Sequence, residues 1–165
     1  MIRPATPTDA DEICQIYNEY IRTSTITFEE EPLAPEEMAR RIVEVTAAWP
    51  WLVYEEAGSI LGYAYASQWQ KRSAYRHSVE STVYLKASAQ GQRIGRRLYE
   101  DLLHRLEKSG VHCVVAGIAL PNERSVALHE RVGFKKVAHF QEVGWKFERW
   151  IDVGHWQLIF GDPNC

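Results

Sequence analysis

The feature that most constrains this chain is a junction between a predicted strand and a predicted helix within residues 79–97. Apolar side chains alternate with polar or aromatic ones over residues 79–85, and this period of two predicts a strand. From Ile94 the apolar residues recur at helical spacing until Gly110 ends the pattern, which predicts a helix. Because the first N–H groups of a helix have no intrahelical partner and lie at the positive end of its dipole, the junction predicts a pyrophosphate site.

The link between these two elements excludes two common phosphate-binding loops. A P-loop needs Lys followed by Ser or Thr after its last glycine, and a dinucleotide fold needs glycines in Gly-x-Gly-x-x-Gly order. The link reads Gln-Gly-Gln-Arg-Ile-Gly over residues 90–95 and has neither pattern. It resembles the Gln/Arg-x-x-Gly-x-Gly/Ala loop of the GNAT acetyltransferases, with Arg93 in place of the first glycine of that motif. A side chain there would either crowd the ligand or supply a cation to it.

Composition and charge narrow the class of protein. A chain of 165 residues with 45% apolar side chains predicts one packed domain over residues 1–165. The net charge of -3 argues against nucleic acid as the main partner. Acidic residues follow the amino terminus at once, and no apolar run nears the length of about 20 residues that spans a bilayer, so we predict a cytoplasmic protein with no membrane partner. The 3 cysteines have no metal-ligand spacing, so we predict no metal site.

The remaining patterns predict alternating strands and helices. A strand opens at residues 2–3, and further strands are predicted over residues 52–56, 60–68 and 113–119. An amphipathic helix is predicted over residues 9–21, and further helices over residues 35–47 and 123–132. Residues 24–31 make an extended connection. Residues 140–160 predict two strands joined by a polar turn, with an aromatic density above that of an ordinary surface strand. Such density indicates either core packing or a subunit interface, and we expect a homodimer.

Polar residues near two strand ends are further candidates for a site. Arg76 and Ser78 would project to the same side and hold a carboxylate if the backbone is already extended there. The alternative is a solvated arginine beside a serine at the strand edge. Asn122, Ser125 and His129 follow the carboxyl end of a predicted strand, where open α/β sheets bind their ligands. By spacing alone, a histidine on a short amphipathic helix is more often a surface residue.

Three longer segments carry a more specific resemblance. Residues 75–84, 119–134 and 144–158 are similar, in the same order, to the phosphinothricin and methionine sulfoximine N-acetyltransferases, a branch of the GNAT family. The resemblance implies an α/β fold with a mixed, mostly antiparallel, twisted sheet of about seven strands, flanked by helices and splayed at its central strands. It also implies transfer of the acetyl group of acetyl-coenzyme A to the α-amino group of a small amino-acid analogue, without a metal.

The resemblance implies roles for individual residues. Glu80 would be the base that takes a proton from the acceptor amine before direct attack on the thioester, and His129 would assist the leaving thiolate. The acceptor site would be lined by Phe28, Tyr75, Arg76 and Ser78. The acetyl-coenzyme A site would comprise Val83, Tyr84, Leu85, Gln90, Gly91, Gln92, Arg93, Ile94, Gly95, Arg96, Asn122 and Ser125. Without the resemblance, the alternation pattern favours a glutamate at position 80 that faces solvent.

Two other functions stay open at this point. The acceptor could be a different amine, such as a polyamine or a peptide terminus, although no acidic cluster lies near the acceptor segments to favour one. The chain could also be a coenzyme A sensor without turnover. Arg93 in the loop favours that alternative, whereas the candidate base and the candidate carboxylate-binding pair argue against it.

Overall fold

The computed structural model describes residues 1–161, which contain seven strands and four α-helices. The strands are β1 (Ile2–Pro4), β2 (Trp51–Glu56), β3 (Ser59–Gln68), β4 (Ser78–Leu85), β5 (Cys113–Ala119), β6 (Lys135–Lys146) and β7 (Arg149–Ile159). The helices are α1 (Ala10–Thr23), α2 (Pro35–Thr46), α3 (Ile94–Lys108) and α4 (Glu123–Arg131). Within this part of the chain, no helix is both long and apolar enough to cross a membrane.

The strands form one sheet in the order β1-β2-β3-β4-β5-β7-β6. Neighbouring strands are antiparallel except for β4 and β5, which are parallel and are connected through α3. The predicted fold class, a mixed and mostly antiparallel sheet flanked by helices, is therefore confirmed.

The parallel pair is short and then opens. Ser78 pairs with Cys113, Val79 with Val114 and Glu80 with Val115, and the ladder ends there. β4 nevertheless continues to Leu85 paired with β3, and β5 continues to Ala119 paired with β7. The predicted splay at the central strands thus lies between β4 and β5 and begins directly after Glu80.

Each face of the sheet has its own hydrophobic cluster, because successive side chains of a strand point to opposite faces. On one face, Leu52 of β2 and Val79 of β4 pack with the apolar stripe of α3, and α4 packs against the same cluster. On the other face, Val53 and Tyr84 pack with α1 and α2. Glu80 belongs to the second face because its neighbour Val79 belongs to the first.

The connection between α1 and α2 is held by polar contacts rather than by strand pairing. The Asn18 amide donates to the Leu33 carbonyl oxygen at 2.9 Å and its Oδ1 accepts from the Leu33 N–H at 2.8 Å. Lys146 of β6, only 1% exposed, donates from Nζ to the Thr27 carbonyl oxygen at 2.8 Å. These bonds fix the segment against α1 and β6.

Most predicted element boundaries agree closely with the structure, and two differ. The extended connection expected over residues 24–31 bends at residues 25–27 and forms no strand, because its carbonyl and N–H groups are bound by side chains. The first strand of the last third begins at Lys135 rather than near residue 140. In addition, β7 lies between β5 and β6, so the strands on either side of α4 are not neighbours.

Candidate active site

Glu80 lies where β4 and β5 separate. Its Oε1 is 3.6 Å from the position that a Cβ on Gly117 would occupy. Because Gly117 is exposed and has no side chain, the carboxylate borders an open space above β5. The Glu80 side chain is half-buried, and this burial raises the pKa of its carboxyl group. A carboxylate in such surroundings accepts a proton more readily than an exposed one.

The loop before α3 leaves its backbone N–H groups without a backbone acceptor. Within residues 1–161, the N–H groups of residues 91–96 donate to no backbone carbonyl, and the first helical bond of the loop runs from Arg97 N–H to the Arg93 oxygen at 3.1 Å. Gly91 has a φ of 79° and nothing within 4 Å of its missing side chain. Unsatisfied donors at a helix amino terminus bind phosphate oxygens, so this backbone fits the predicted pyrophosphate site.

Arg93 adopts the left-handed conformation at the start of α3. Its φ of 62° and ψ of 9° are values that glycine adopts without penalty and that cost other residues roughly 1–2 kcal/mol. The chain therefore keeps the backbone shape of the motif glycine while adding a cation. Within the described residues, the exposed Arg93 side chain has no ion-pair partner.

Other side chains of this loop are bound within the protein. The Gln90 amide donates to the Tyr20 hydroxyl at 3.3 Å, and its Oε1 accepts from Arg124 at 2.6 Å. Gln92 donates to the Ser88 carbonyl oxygen at 2.7 Å. Arg96 forms an ion pair with Glu100 at 2.6 Å along the surface of α3. Gln90, Gln92 and Arg96 therefore support the loop, and the exposed donors come from the backbone and from Arg93.

A cleft of about 260 Å³ adjoins this loop, between α1 and the end of β4. Its lining includes Tyr20, Leu85, Lys86 and Gln90. The Tyr20 hydroxyl donates to the Leu85 carbonyl oxygen at 2.7 Å, whereas the rest of the β5-facing edge of β4 beyond Glu80 has no strand partner. The N–H donors of the loop are thus followed by a cleft and then by an unpaired strand edge. This order fits acetyl-coenzyme A, which has a diphosphate and an extended arm.

Sequence reasoning missed Tyr20 and Lys86 as members of this region. Tyr20 occurs at a core position of the helical stripe of α1, and nothing in the spacing distinguishes it from a packing residue. Lys86 follows β4 directly and forms an ion pair with Glu12 at 3.3 Å. A pattern confined to the strand and the glycine loop contains no signal for either residue.

His129 lies beneath the opposite face of the sheet from Glu80. It is 3% exposed, its Nε2 is 2.7 Å from the Tyr99 hydroxyl, and that hydroxyl is 3.2 Å from Ser81 Oγ. The Nδ1 atom is 2.7 Å from the Ser125 carbonyl oxygen, which can only accept, so Nδ1 donates and Nε2 accepts from Tyr99. Burial lowers the pKa of His129, so the imidazole is neutral and hydrogen-bonded at both nitrogens.

Asn122 and Ser125 position the start of α4. Asn122 Oδ1 accepts from the Ser125 N–H at 3.2 Å and so caps the helix. Ser125 Oγ lies 3.3 Å from His129 Nδ1. Both predicted coenzyme A contacts therefore already have bonds within the protein, while the hydroxyl and the amide nitrogen retain further hydrogen-bonding capacity.

The strand-spacing argument for Arg76 and Ser78 is wrong in its premise. Arg76 has a φ of -58° and a ψ of -19°, which is helical, and β4 begins only at Ser78. The exposed Arg76 guanidinium donates to the Ser73 carbonyl oxygen at 3.2 Å. Ser78 does share a strand face with Glu80, as the alternation requires. Strand geometry therefore does not show that the Arg76 and Ser78 side chains point in the same direction.

Phe28 and Tyr75 expose aromatic rings on the loops around β4 and β6. Phe28 is 41% exposed, and its ring packs so closely on Gly144 that a Cβ at residue 144 would not fit. Tyr75 is also 41% exposed and borders an open cleft with Trp69 and Arg72. Both rings are therefore accessible to a ligand.

Comparison with known proteins gives a consistent family. A model described as the acetyltransferase (GNAT) domain matches residues 2–155. The chain is 43% identical over 162 residues to phosphinothricin N-acetyltransferase of Streptomyces viridochromogenes, covering 98% of this chain and 88% of that protein. It is 34% identical to the L-methionine sulfoximine/L-methionine sulfone acetyltransferase of Salmonella typhimurium, covering 95% of this chain and 92% of that protein.

A solved structure shows the same relationship in three dimensions. The GNAT superfamily phosphinothricin acetyltransferase from Sinorhizobium meliloti, in complex with acetyl-coenzyme A, superposes with a TM-score of 0.94. It is 35% identical, and the match covers 98% of this chain and 88% of that one. The chain therefore belongs to the GNAT family and is an acetyl-coenzyme A-dependent N-acetyltransferase of the phosphinothricin and methionine sulfoximine branch.

Proposed function

We propose that this enzyme transfers the acetyl group of acetyl-coenzyme A to the α-amino group of a small amino-acid analogue of the phosphinothricin or methionine sulfoximine/sulfone type. The observation that carries the proposal is the half-buried carboxylate of Glu80 at the opening between β4 and β5, with a raised pKa. The substrates named for the two relatives support the acceptor class.

Glu80 acts as the general base in the proposed mechanism. An α-amino group is largely protonated at neutral pH and must lose a proton before its lone pair can attack the thioester carbon. Glu80 accepts that proton, directly or through water. The C–N bond then forms and the C–S bond breaks, so that an ammonium and a thioester give an amide, a thiol and one proton released to solvent.

The donor site is proposed along β4 and the start of α3. Backbone N–H groups of Val83 and Leu85, which point to the opened edge, would stabilise negative charge on the thioester oxygen and hold the arm of the substrate, whereas the Tyr84 N–H points toward β3. The diphosphate would lie on the N–H groups of residues 90–96, with Arg93 as an additional cation. Asn122 and Ser125 would contact the same molecule from the start of α4.

His129 is proposed to assist the leaving thiolate. Its neutral ring accepts a hydrogen bond from Tyr99 at Nε2 and donates one from Nδ1 to the Ser125 carbonyl oxygen, so donation to the thiolate would require the ring to release the Ser125 oxygen. The role of His129 stays a prediction in this form.

The acceptor would bind on the Glu80 face of the sheet. Ser78 and the cationic Arg76 would hold its carboxylate, and the exposed rings of Phe28 and Tyr75 would cover it. Support comes from the accessibility of both rings and from the position of Ser78 next to Glu80 on β4.

A cytoplasmic location also stays a prediction.

We further propose a homodimer assembled through the β6–β7 hairpin. β6 is an edge strand of the sheet, and the hairpin exposes Phe140 (50%), Val143 (59%), Trp145 (51%), Phe147 (51%) and Trp150 (58%). An apolar edge of this size on a monomer would invite aggregation, and a second copy would cover it.

The acceptor screen tests the proposed function against its rivals. With acetyl-coenzyme A, we expect thiol release with phosphinothricin, methionine sulfoximine and methionine sulfone, and much less with ordinary amino acids or polyamines. The decarboxylated amine of methionine sulfone should be poor, because Arg76 and Ser78 then have no carboxylate to bind. Faster turnover of polyamines or peptide termini would favour the other-amine alternative, and coenzyme A binding without any thiol release would support the sensor.

The Glu80→Gln variant tests the general base. We expect kcat to fall roughly 10²- to 10⁴-fold, the usual range for loss of a general base. In the wild type, activity should decline as pH falls through the raised Glu80 pKa, because protonation removes the acceptor of the amine proton. That part of the pH–rate profile should vanish in Glu80→Gln and persist in Glu107→Gln, a control on the exposed face of α3. An unchanged profile would remove Glu80 from the mechanism.

Arg93 variants distinguish a cation from an obstruction. We expect Arg93→Ala and Arg93→Gly both to raise the KM for acetyl-coenzyme A about tenfold, because a charge-assisted contact to phosphate is lost. Arg93→Gly should be more stable than Arg93→Ala by about 1 kcal/mol in urea unfolding, since only glycine relieves the left-handed strain. Lys108→Ala, at the other end of α3, should change neither quantity. A lower KM in both Arg93 variants would show that the side chain crowds the ligand.

Sedimentation velocity tests the dimer. The wild type should sediment as a dimer at micromolar concentration, and Trp145→Glu with Trp150→Glu should sediment as a monomer, because charges would be buried at the apolar contact. Val43→Glu places the same charge at a 54% exposed apolar position on α2 and should leave the dimer intact. A monomeric wild type would refute the homodimer.

A further inference from the structure

His155 of β7 lies beside Glu80, although its residue type and spacing did not mark it as a site residue. It pairs with Gly117 of β5, so both residues share the face of the sheet that carries Glu80. His155 Nε2 is 3.5 Å and Glu80 Oε1 is 3.6 Å from the same point, the position that a Cβ on Gly117 would occupy. The glycine therefore leaves a space bordered by an imidazole nitrogen on one side and a carboxylate on the other.

The other ring nitrogen of His155 has no partner. Nδ1 is buried and forms no hydrogen bond within the described residues. Trp69 lies with its ring centroid 5.8 Å away and Phe140 at 5.3 Å, both nearly perpendicular to the imidazole. The ring is thus fixed by aromatic contacts, with one nitrogen in an apolar environment and the other toward the space above Gly117.

This environment selects one form of the imidazole. A buried N–H without an acceptor is rarer and costlier than a buried acceptor without a donor, so the proton belongs on Nε2. A charged ring would carry a second N–H at the buried Nδ1, which is unfavourable. In agreement, burial lowers the pKa of His155. His155 is therefore a neutral hydrogen-bond donor that directs its N–H toward the space beside Glu80.

The position of His155 along the sheet indicates which part of an acceptor it meets. Ser78 and Glu80 are two residues apart on β4, and Gly117 is two residues beyond Val115, the partner of Glu80. Since each strand residue advances about 3.3 Å, these positions follow one another in steps of roughly 6.6 Å. An amino acid with its carboxylate near Ser78 and its amine at Glu80 would extend its side chain toward His155.

We propose that His155 is a specificity-determining residue of the acceptor site, whose Nε2–H donates a hydrogen bond to an oxygen atom on the acceptor side chain. The enzyme then favours amino acids that carry a terminal oxygen on phosphorus or sulfur over those that end in a hydrocarbon or thioether. This inference rests on the proposed function. A neutral donor suits this task because it binds either a neutral sulfone oxygen or an anionic phosphinate oxygen.

The test compares two acceptors that differ only in the oxygens on sulfur, L-methionine sulfone and L-methionine. In His155→Phe, we expect the ratio of their kcat/KM values to fall about tenfold, through a higher KM for the sulfone, because one hydrogen bond is lost. The KM for acetyl-coenzyme A should not change. His155→Gln retains an N–H donor and should restore part of the preference. His104→Gln, on the exposed surface of α3, should behave as the wild type.

A second readout separates recognition from a structural role. Phenylalanine keeps the aromatic contacts to Trp69 and Phe140 and removes the unpaired Nδ1, so the Tm of His155→Phe should equal or exceed that of the wild type. In ¹⁵N spectra of the imidazoles, the resonances that are present in the wild type and lost in His155→Phe belong to His155. Their chemical shifts should show that the proton is on Nε2. The proposal would be overturned by a lower Tm of His155→Phe together with an equal loss of kcat/KM for both acceptors. A proton on Nδ1 of His155 in the wild type would also overturn it.

The failure of this inference is distinguishable from the failure of the proposed function. If the wild type acetylates the sulfone and His155→Phe retains the full preference for it, the role of His155 is refuted and the proposed function stands. If the wild type acetylates neither α-amino acid, the proposed function is refuted and this inference with it.

Discussion

The site depends on a parallel ladder that stops after three pairs. β4 is bound by β3 along its length and β5 by β7, so each strand follows its antiparallel neighbour once the ladder between them ends at Glu80 and Val115. The separation leaves backbone polar groups without a strand partner, which a sheet normally avoids. It also places a carboxylate at the opening, half out of water. The proposed base and the proposed oxyanion donors thus result from the same geometry.

The start of α3 shows how a departure from a motif is accommodated. Glycine would adopt the left-handed conformation at residue 93 without penalty, whereas Arg93 adopts it at a cost of roughly 1–2 kcal/mol. The backbone around it keeps N–H groups that have no backbone acceptor, with support from the bonds of Gln90 and Gln92 to neighbouring elements. Strain of this kind persists only where the surroundings fix the backbone.

Local patterns predicted the helices and strands because each apolar period reflects a face that must be buried. The fold class came from the resemblance, since periodicity does not fix which strands pair. The extent of the β4–β5 ladder was beyond local reasoning because distant strands on either side determine it. The backbone conformation of Arg76 was misjudged because the short turn before Ser78 has no periodic signal. His155 was missed because it lies in a strand rich in apolar residues, where only the partner strand shows that it faces Gly117 and Glu80.

The alternation along β6 has a consequence for how this enzyme can diverge. Gly144 and Lys146 point inward and hold the segment with Thr27 and Phe28, whereas Val143 and Trp145 point outward. Exchange of either outward residue would leave the inner contacts in place but would alter the surface proposed for the dimer. Insertion or deletion of a single residue would interchange the two sets, exposing the Lys146 ammonium and turning the Trp145 indole toward Thr27 and Phe28. Changes on the outer surface of this hairpin would therefore act on assembly, whereas changes in its length or register would act on the contacts beneath it.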